Sequence, residues 1–409
     1  MSVRSVFHRM LITIGGVYVR LFPPSPVQAI RRVVLIRPDD LGDVLWVSPA
    51  LARLREALPD VAVTLEVQPS SCPIAFAGSE GVAVEAVSFP GFVRGPKPHP
   101  MRPYVDLWFE SQHLAHGHYD AALILRPDHW WGAATAAVGR IPYIVGYDTR
   151  DVRPALAEIV PEQPYAHSVR TNLLLVERLI AKATGQPLRA LPADDAVLMR
   201  QHPLIFHVSE AARREAGALL ADLGRNAPLI VVSPGAGVAV KQWVPERWAQ
   251  VADALAEAHG ATIVLTGTRG EASLTAVVAA AMRYPALDLA GKTTIPVAAA
   301  VFERAALVLG PDSGALHIAV AVGTPTVHLY GPADPRKFGP WGDPARHIVL
   351  TADVRDIPCL ACGDLSPDRP AAPPCLTALQ VVDVLTAAER VLRAEQEAPR
   401  LPIMNNALM

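Results

Sequence analysis

The run from Ala306 to Pro332 constrains the fold more than any other feature of the chain. Leu307, Val308 and Leu309 form a short apolar segment closed by Gly310 and Pro311, and a second, Thr326 to Tyr330, is closed by Gly331 and Pro332. Both lengths suit buried strands. The residues between leave room for one short helix, with Asp312 or Ser313 to cap it, Gly323 to end it and Pro325 to stop its continuation. Strand, tight turn, helix, strand implies a crossover between parallel strands, so the helix amino terminus opens at the carboxyl edge of a sheet. Unpaired N–H groups and the positive end of the helix dipole favour a phosphate there. His317, one turn on, can share a face with Ser313. Taken alone, such an Asp-Ser-Gly turn also describes an ordinary capped core helix, so the rest of the chain has to decide.

The same grammar recurs. Arg32 to Ile36 reads as a buried strand, Arg37 to Asp43 as its turn, and Val44, Val47, Leu51, Leu54 and Leu58 as one face of a helix that starts near Asp43. Val61 to Val67 and Ala121 to Leu125 continue a first α/β domain, and Arg126 to Trp131 forms a loop at the same sheet edge. The two tryptophans in that loop fit stacking on a sugar or lipid, and fit rim packing slightly better. A broken, proline-containing stretch from Pro187 to Pro203 places the hinge near residues 190 to 210. Beyond it, a helix capped by Ser209 leads to the strand Leu229 to Val232 and the small-residue turn Ser233 to Gly237, whose backbone can approach a ligand closely. Lys241 follows, then a helix from Glu246 to Ala258, a strand from Ala261 to Leu265 with the turn Thr266 to Glu271, and Leu287 to Ala290 before Gly291, Lys292 and Thr293. Every polar turn follows a strand, so all belong to one edge of one sheet.

A chain of 409 residues, 51% hydrophobic and with a net charge of -2, can bury a large core in two or three domains. No run of like charges argues for a nucleic-acid partner. Four cysteines are too few for a disulfide scaffold and suit a reducing compartment. Cys359, Cys362 and Cys375 have part of a metal-ligand spacing but lack a fourth ligand, which makes them weak metal candidates. Met10 to Val19 is apolar and flanked by Arg4, Arg9 and Arg20. It is too short to span a bilayer; an interfacial helix and an ordinary covering helix fit it about equally, and a cleaved signal fits less well. Walker, GxGxxG, HExxH and GxSxG patterns are absent at the places where their chemistry would need them.

In this order and at these distances the motifs resemble glycosyltransferase family nine, the heptosyltransferases of lipopolysaccharide assembly. The likeness is carried by Leu41-Gly42-Asp43-Val44, Gly139-Arg140 with Ile144 to Tyr147, Ser233 to Ala236 with Lys241, Trp243 and Pro245, Gly267 with Glu271, Leu289 to Thr293, and Asp312-Ser313-Gly314 with His317 and Tyr330 to Pro332. It covers roughly residues 31 to 395. The resemblance implies an α/β GT-B fold, two Rossmann-like doubly wound parallel-sheet domains facing across a cleft. The expected divisions are an amphipathic segment over 1–30, an acceptor domain over 31–205, a nucleotide-sugar domain over 206–377, a helix over 378–395 that crosses back to the first domain, and a tail over 396–409. It further implies inverting, metal-independent transfer of a heptose from ADP-heptose to a lipid-linked glycan, without a cofactor. The setting would be the cytoplasm, with peripheral contact to the inner membrane. Asp43 would be the base and Lys241 the charge on the departing diphosphate, with Ser233, Gly235, Ala236, Gly267, Glu271, Gly291, Lys292, Thr293, Asp312, Ser313, Gly314 and His317 around the donor. The rivals are transfer onto a protein and a non-catalytic nucleotide-sugar-binding protein.

Overall fold

The computed structural model describes residues 29–92, 99, 101–224, 227–352 and 369–397. The Met10 to Val19 segment, Cys359, Cys362 and the tail from 398 lie outside them. The chain divides into two compact units, Met1–His207 with Arg336–Trp341, and Val208–Pro335 with Gly342–Met409.

The first unit carries β1 (Arg32–Arg37), α1 (Leu41–Leu45), α2 (Ser48–Ala57), β2 (Ala62–Val67), α3 (Cys72–Gly78), β3 (Ala83–Ala86), α4 (Arg102–His116), β4 (Ala121–Ile124), α5 (Trp130–Val138), β5 (Tyr143–Tyr147), β6 (Glu158–Val160), α6 (Ser168–Thr184) and α7 (Asp195–Gln201). Its strands pair in parallel in the order β3-β2-β1-β4-β5-β6. Val33 to Ile36 and Ala121 to Ile124 are fully buried, as parallel strands covered on both faces must be. The order reverses between β1 and β4, so the loops after those strands open a crevice at the carboxyl edge.

The second unit repeats this plan with α8 (Glu210–Leu219), β7 (Leu229–Val232), α9 (Pro245–His259), β8 (Thr262–Leu265), α10 (Ala272–Ala281), β9 (Ala286–Asp288), α11 (Ile295–Glu303), β10 (Leu307–Pro311), α12 (Gly314–Ala321), β11 (Thr326–Tyr330), α13 (Pro335–Phe338, most of which groups with the first unit), β12 (His347–Thr351), α14 (Pro374–Thr377) and α15 (Val381–Glu397). The order is β12-β11-β10-β7-β8-β9, again parallel throughout, with the reversal between β7 and β10. A β-carbon on Gly310 would lie 2.5 Å from both Ser233 O and Leu316 Cδ2, so only glycine lets β7 and the turn into α12 close here. Trp243 and Trp248 meet edge to face at 4.9 Å beneath the sheet, each fully buried and each contributing on the order of 2–3 kcal/mol of apolar burial.

One expectation is corrected. The apolar positions after β1 do not form one helix: α1 ends at Leu45, and α2 begins at Ser48. The break falls just ahead of Pro49, which has no N–H to give Leu45 O, an acceptor taken instead by the Ser48 hydroxyl, and Trp46 there stacks on Phe338 and meets His167 edge on. The closing helix contributes to the core of the second unit. Val384, Ala387, Ala388, Val391 and Leu392 of α15 join the second unit's core with Leu376 and Leu379, while Val382 is 64% exposed. A piece of later chain, Arg336–Trp341, groups with the first unit.

Candidate active site

In the second unit the loops after β7, β8, β9 and β10 converge. Lys241 donates to Asp312 Oδ2 at 2.6 Å, joining the loop after β7 to the turn after β10. The ammonium side is the more open, at 20% exposure against 6% for the carboxylate. Burial alone would raise the Asp312 pKa, but the Lys241 charge and His317 outweigh it and hold the carboxyl at about 2. His317 Nε2 lies 3.6 Å from Asp312 Oδ1 and the ring is only 2% exposed. Asp312 and His317 therefore stand behind Lys241 and do not line an open surface. Ser313 is the residue before α12, and its hydroxyl makes no cap bond. Gly314 opens that helix.

Glu271 sits where three turns meet. Its Oε2 accepts from Thr268 N at 2.7 Å and Thr268 Oγ1 at 2.8 Å, which closes a capping box. A β-carbon on Gly235 would come within 2.1 Å of Glu271 Oε1, and one on Gly267 within 3.2 Å of Glu271 Cβ. These glycines are there because the carboxylate needs the space. Gly291, at φ +68°, donates to Gly267 O at 2.9 Å, and its bare α-carbon makes room for Arg269. Ser233 and Ala236 are buried, Thr293 is half-buried, and the exposed Lys292 donates to Asp288 O at 2.7 Å. The structure thus gathers the second-domain residues singled out in the sequence into one carboxyl edge. A further buried row lies behind them: Thr326 Oγ1 is 2.7 Å from His328 Nε2 and 2.9 Å from His347 Nδ1.

Asp43 belongs to the first unit. It is the third residue of α1, and its Oδ1 accepts from Arg37 at 2.9 Å. Arg37 is 5% exposed at the end of β1 and also donates to Leu125 O at 3.0 Å, with Nε 2.7 Å from Asp39 Oδ2. Arg126 pairs with the other Asp39 oxygen and with Asp128 Oδ1 at 2.6 Å. Burial opposes both charges of this outer pair. Asp39 nevertheless raises the Arg126 pKa, and the Arg126 hydrogen bond and charge depress that of Asp128. His129, completely enclosed beside Phe89 and Phe92, is held neutral by burial, with its pKa lowered to about 3. Trp131 is a packing residue, 1% exposed with its indole N–H on Pro103 O.

Arg37, Asp39, Arg126 and Asp128 were not singled out in the sequence, although a signal exists. Both loops of the first reversal point read Arg-Pro-Asp, at 37–39 and 126–128, each immediately after a buried strand. For the cysteines, Cys375 is buried in α14, and among the described residues no cluster of three metal-ligating side chains gathers.

The sequence profile described as glycosyltransferase family 9 (heptosyltransferase) matches residues 110–364. Lipopolysaccharide heptosyltransferase 3 of Escherichia coli is 25% identical over 359 residues, covering 86% of this chain and 96% of that one. Among solved structures, a glycosyl transferase family 9 protein from Veillonella parvula aligns with a TM-score of 0.72 at 22% identity, covering 90% of this chain and 99% of the other. The E. coli ADP-heptose lps heptosyltransferase II aligns with a TM-score of 0.67 at 18% identity, over 89% and 99%. Two doubly wound parallel-sheet units, with polar turns at each reversal point, match the GT-B make-up of these structures. With more than half of its length matched by the profile, the chain belongs to glycosyltransferase family 9, and it is a glycosyltransferase.

Proposed function

We propose that this glycosyltransferase moves a heptose from ADP-heptose to a sugar of a lipopolysaccharide core, with inversion at the anomeric carbon and at the cytoplasmic face of the membrane. The sugar and the acceptor are those in the names of its relatives. Asp43 takes the proton of the acceptor hydroxyl as that oxygen attacks the anomeric carbon. The bond to the departing phosphate oxygen breaks on the opposite side, and the developing charge on ADP is met by the Lys241 ammonium and by N–H groups at the start of α12. Ser233, Gly235, Ala236, Gly267, Glu271, Gly291, Lys292 and Thr293 form the nucleotide side of the donor site. Glu271 would accept from ribose hydroxyls in addition to Thr268. Asp312 and His317 act from behind, through Lys241. No helix among the described residues is long and apolar enough to cross a membrane.

The observation that supports this chemistry best is the pair Lys241–Asp312 at the reversal point of the second sheet, an accessible cation with its countercharge buried. The test is ADP release from ADP-heptose in the presence of a deacylated core oligosaccharide, with product stereochemistry read by NMR coupling at the new linkage. Asp43→Asn should lower kcat by about 10²-fold or more while ADP binding changes little. Turnover of UDP- or GDP-sugars in preference to ADP-heptose, or retention of configuration, would sink the proposal.

A further inference from the structure

The first unit's reversal point holds more charge than a single base requires. Five ionised side chains alternate in sign along one line of contacts: Asp128 to Arg126, Arg126 to Asp39, Asp39 to Arg37 and Arg37 to Asp43. The middle of the line is the most enclosed, with Arg37 at 5% and Asp39 at 3% side-chain exposure, and the ends are open, with Asp43 at 29% and Asp128 at 65%. Arg37 is anchored on two further sides. Its guanidinium donates to Leu125 O just past β4 and reaches Asn172 Oδ1 of α6 at 3.5 Å, while Asn172, itself fully buried, donates to Trp46 O at 3.0 Å. The titratable and polar groups along and beside this line are Arg37 from β1, Asp39 and the exposed Asp40 from the turn, Arg126, Asp128 and the neutral His129 from the loop after β4, and the uncharged Asn172 from α6.

A lone buried guanidinium on a carboxylate would favour its ionised form strongly and make it a poor proton acceptor. Here half of Arg37 is already claimed by Asp39, and Asp39 in turn is shared with Arg126. We propose that Arg37 is a positioning residue for Asp43, and that Asp39 and Arg126 set how much of its charge the Asp43 carboxylate feels. This rests on the reading of Asp43 as the base. The anchored guanidinium fixes one carboxylate oxygen against the scaffold and keeps the group ionised at neutral pH. The shared countercharge preserves enough basicity for proton transfer.

The alternation makes a prediction that ordinary structural damage does not. Removing a cation from the line leaves Asp43 easier to protonate, and removing the anion makes it harder. The acid limb of kcat/KM against pH, read with the same substrates throughout, should move down by about half a unit in Asp39→Asn and up by about half a unit in Arg126→Met. Arg37→Met should move it up by about a unit and lower kcat about tenfold or more, with Arg37→Lys recovering part of the loss and the donor KM little changed. Limbs that move in the same direction, or that stay in place while both outer variants merely lose stability, would overturn the proposal. Asp43→Asn separates the two levels. If it retains turnover, the base assignment fails and this proposal with it. If it is inactive while the limbs do not move, only the positioning role is lost.

Discussion

The two units share one strand order and present opposite charges at the same place. Where the first sheet reverses, between β1 and β4, the accessible group is the Asp43 carboxylate and the buried one is Arg37. Where the second reverses, between β7 and β10, the accessible group is the Lys241 ammonium and the buried one is Asp312. In both, contacts tie the loop after the first strand of the unit to the loop after its fourth: Arg126 to Asp39 in one, Lys241 to Asp312 in the other. Topology supplies the crevice. The sign it offers a ligand depends on which member of the pair the fold buries, and the accessible member is the one whose loss leaves a buried charge uncompensated.

The strongest way to break this comparison is to remove the accessible cation. Lys241→Met leaves Asp312 buried without its ammonium, a change that should cost about 3 kcal/mol of the second unit's stability. The rate should fall about 10²-fold or more, because the departing diphosphate loses its cation. The double variant Lys241→Met with Asp312→Asn should recover most of the stability and none of the rate, read by urea unfolding beside ADP release. A double variant no more stable than the single one would mean that Asp312 is compensated elsewhere, and the inverted polarity would be a coincidence of side chains.

Much of this arrangement was legible before any coordinates. Buried strands closed by Gly, Pro and Asp located every reversal-point loop, because short parallel strands covered on both faces leave little but apolar residues in the run and turn formers at its end. What stayed hidden is pairing across sequence distance. Asp39 and Arg126 lie 87 residues apart and meet only because β1 and β4 are neighbours, which no local pattern encodes. The same holds for the packing at the break between α1 and α2, where Trp46 meets Phe338 from far along the chain. His317 shows a third limit. Helical spacing relates it to Ser313, but only the fold shows that the ring is enclosed beside Asp312 and His328. For the closing helix the limit is similar: several of its faces contain apolar residues, and contact with β10, β11 and β12 selects the one that is buried.

Away from the reversal points the units differ in how they should answer pH, which sharpens the comparison. β2 buries Glu66 completely beside Glu110 and Glu85, and burial first, then those charges, push its pKa well above the carboxylate range. β11 and β12 bury His328 and His347. Burial pushes His328 well below the usual imidazole value and His347 down to about 4. The signs oppose. Glu66 holds its proton more tightly folded than unfolded, so its contribution is present at low pH and is lost as pH rises through its raised native value. The histidines hold theirs less tightly folded, so their contribution is present above about pH 6.5 and is lost as pH falls toward about 4. Hydrogen exchange followed unit by unit should show the first weakening as pH rises above about 4.3 and the second weakening by about pH 5 as pH falls, with Glu66→Gln removing the loss on raising pH in the first unit alone, a gain on the order of 1 kcal/mol. Equal responses of both units at both extremes would contradict this.

Helix caps give the smallest contrast. Before α6 the cap is His167, whose Nδ1 accepts from Val169 N at 3.1 Å while Nε2 donates to Gly339 O at 3.0 Å, with the ring 4.6 Å from that of Trp341. One side chain thereby ends a helix and holds the Arg336–Trp341 segment to the first unit. Before α8 the cap is the exposed Ser209, whose hydroxyl accepts from Ala212 N at 3.2 Å and ties down nothing else. Ser209→Ala should therefore cost about 1 kcal/mol, the ordinary worth of a cap, and leave turnover unchanged. His167→Ala should cost at least about 1 kcal/mol more, since it also leaves a buried carbonyl without its donor and removes a ring from the core. Thermal unfolding of the two variants side by side reads the difference. Equal losses would mean that the later segment is held to the first unit by Trp46 and Phe338 without help from His167.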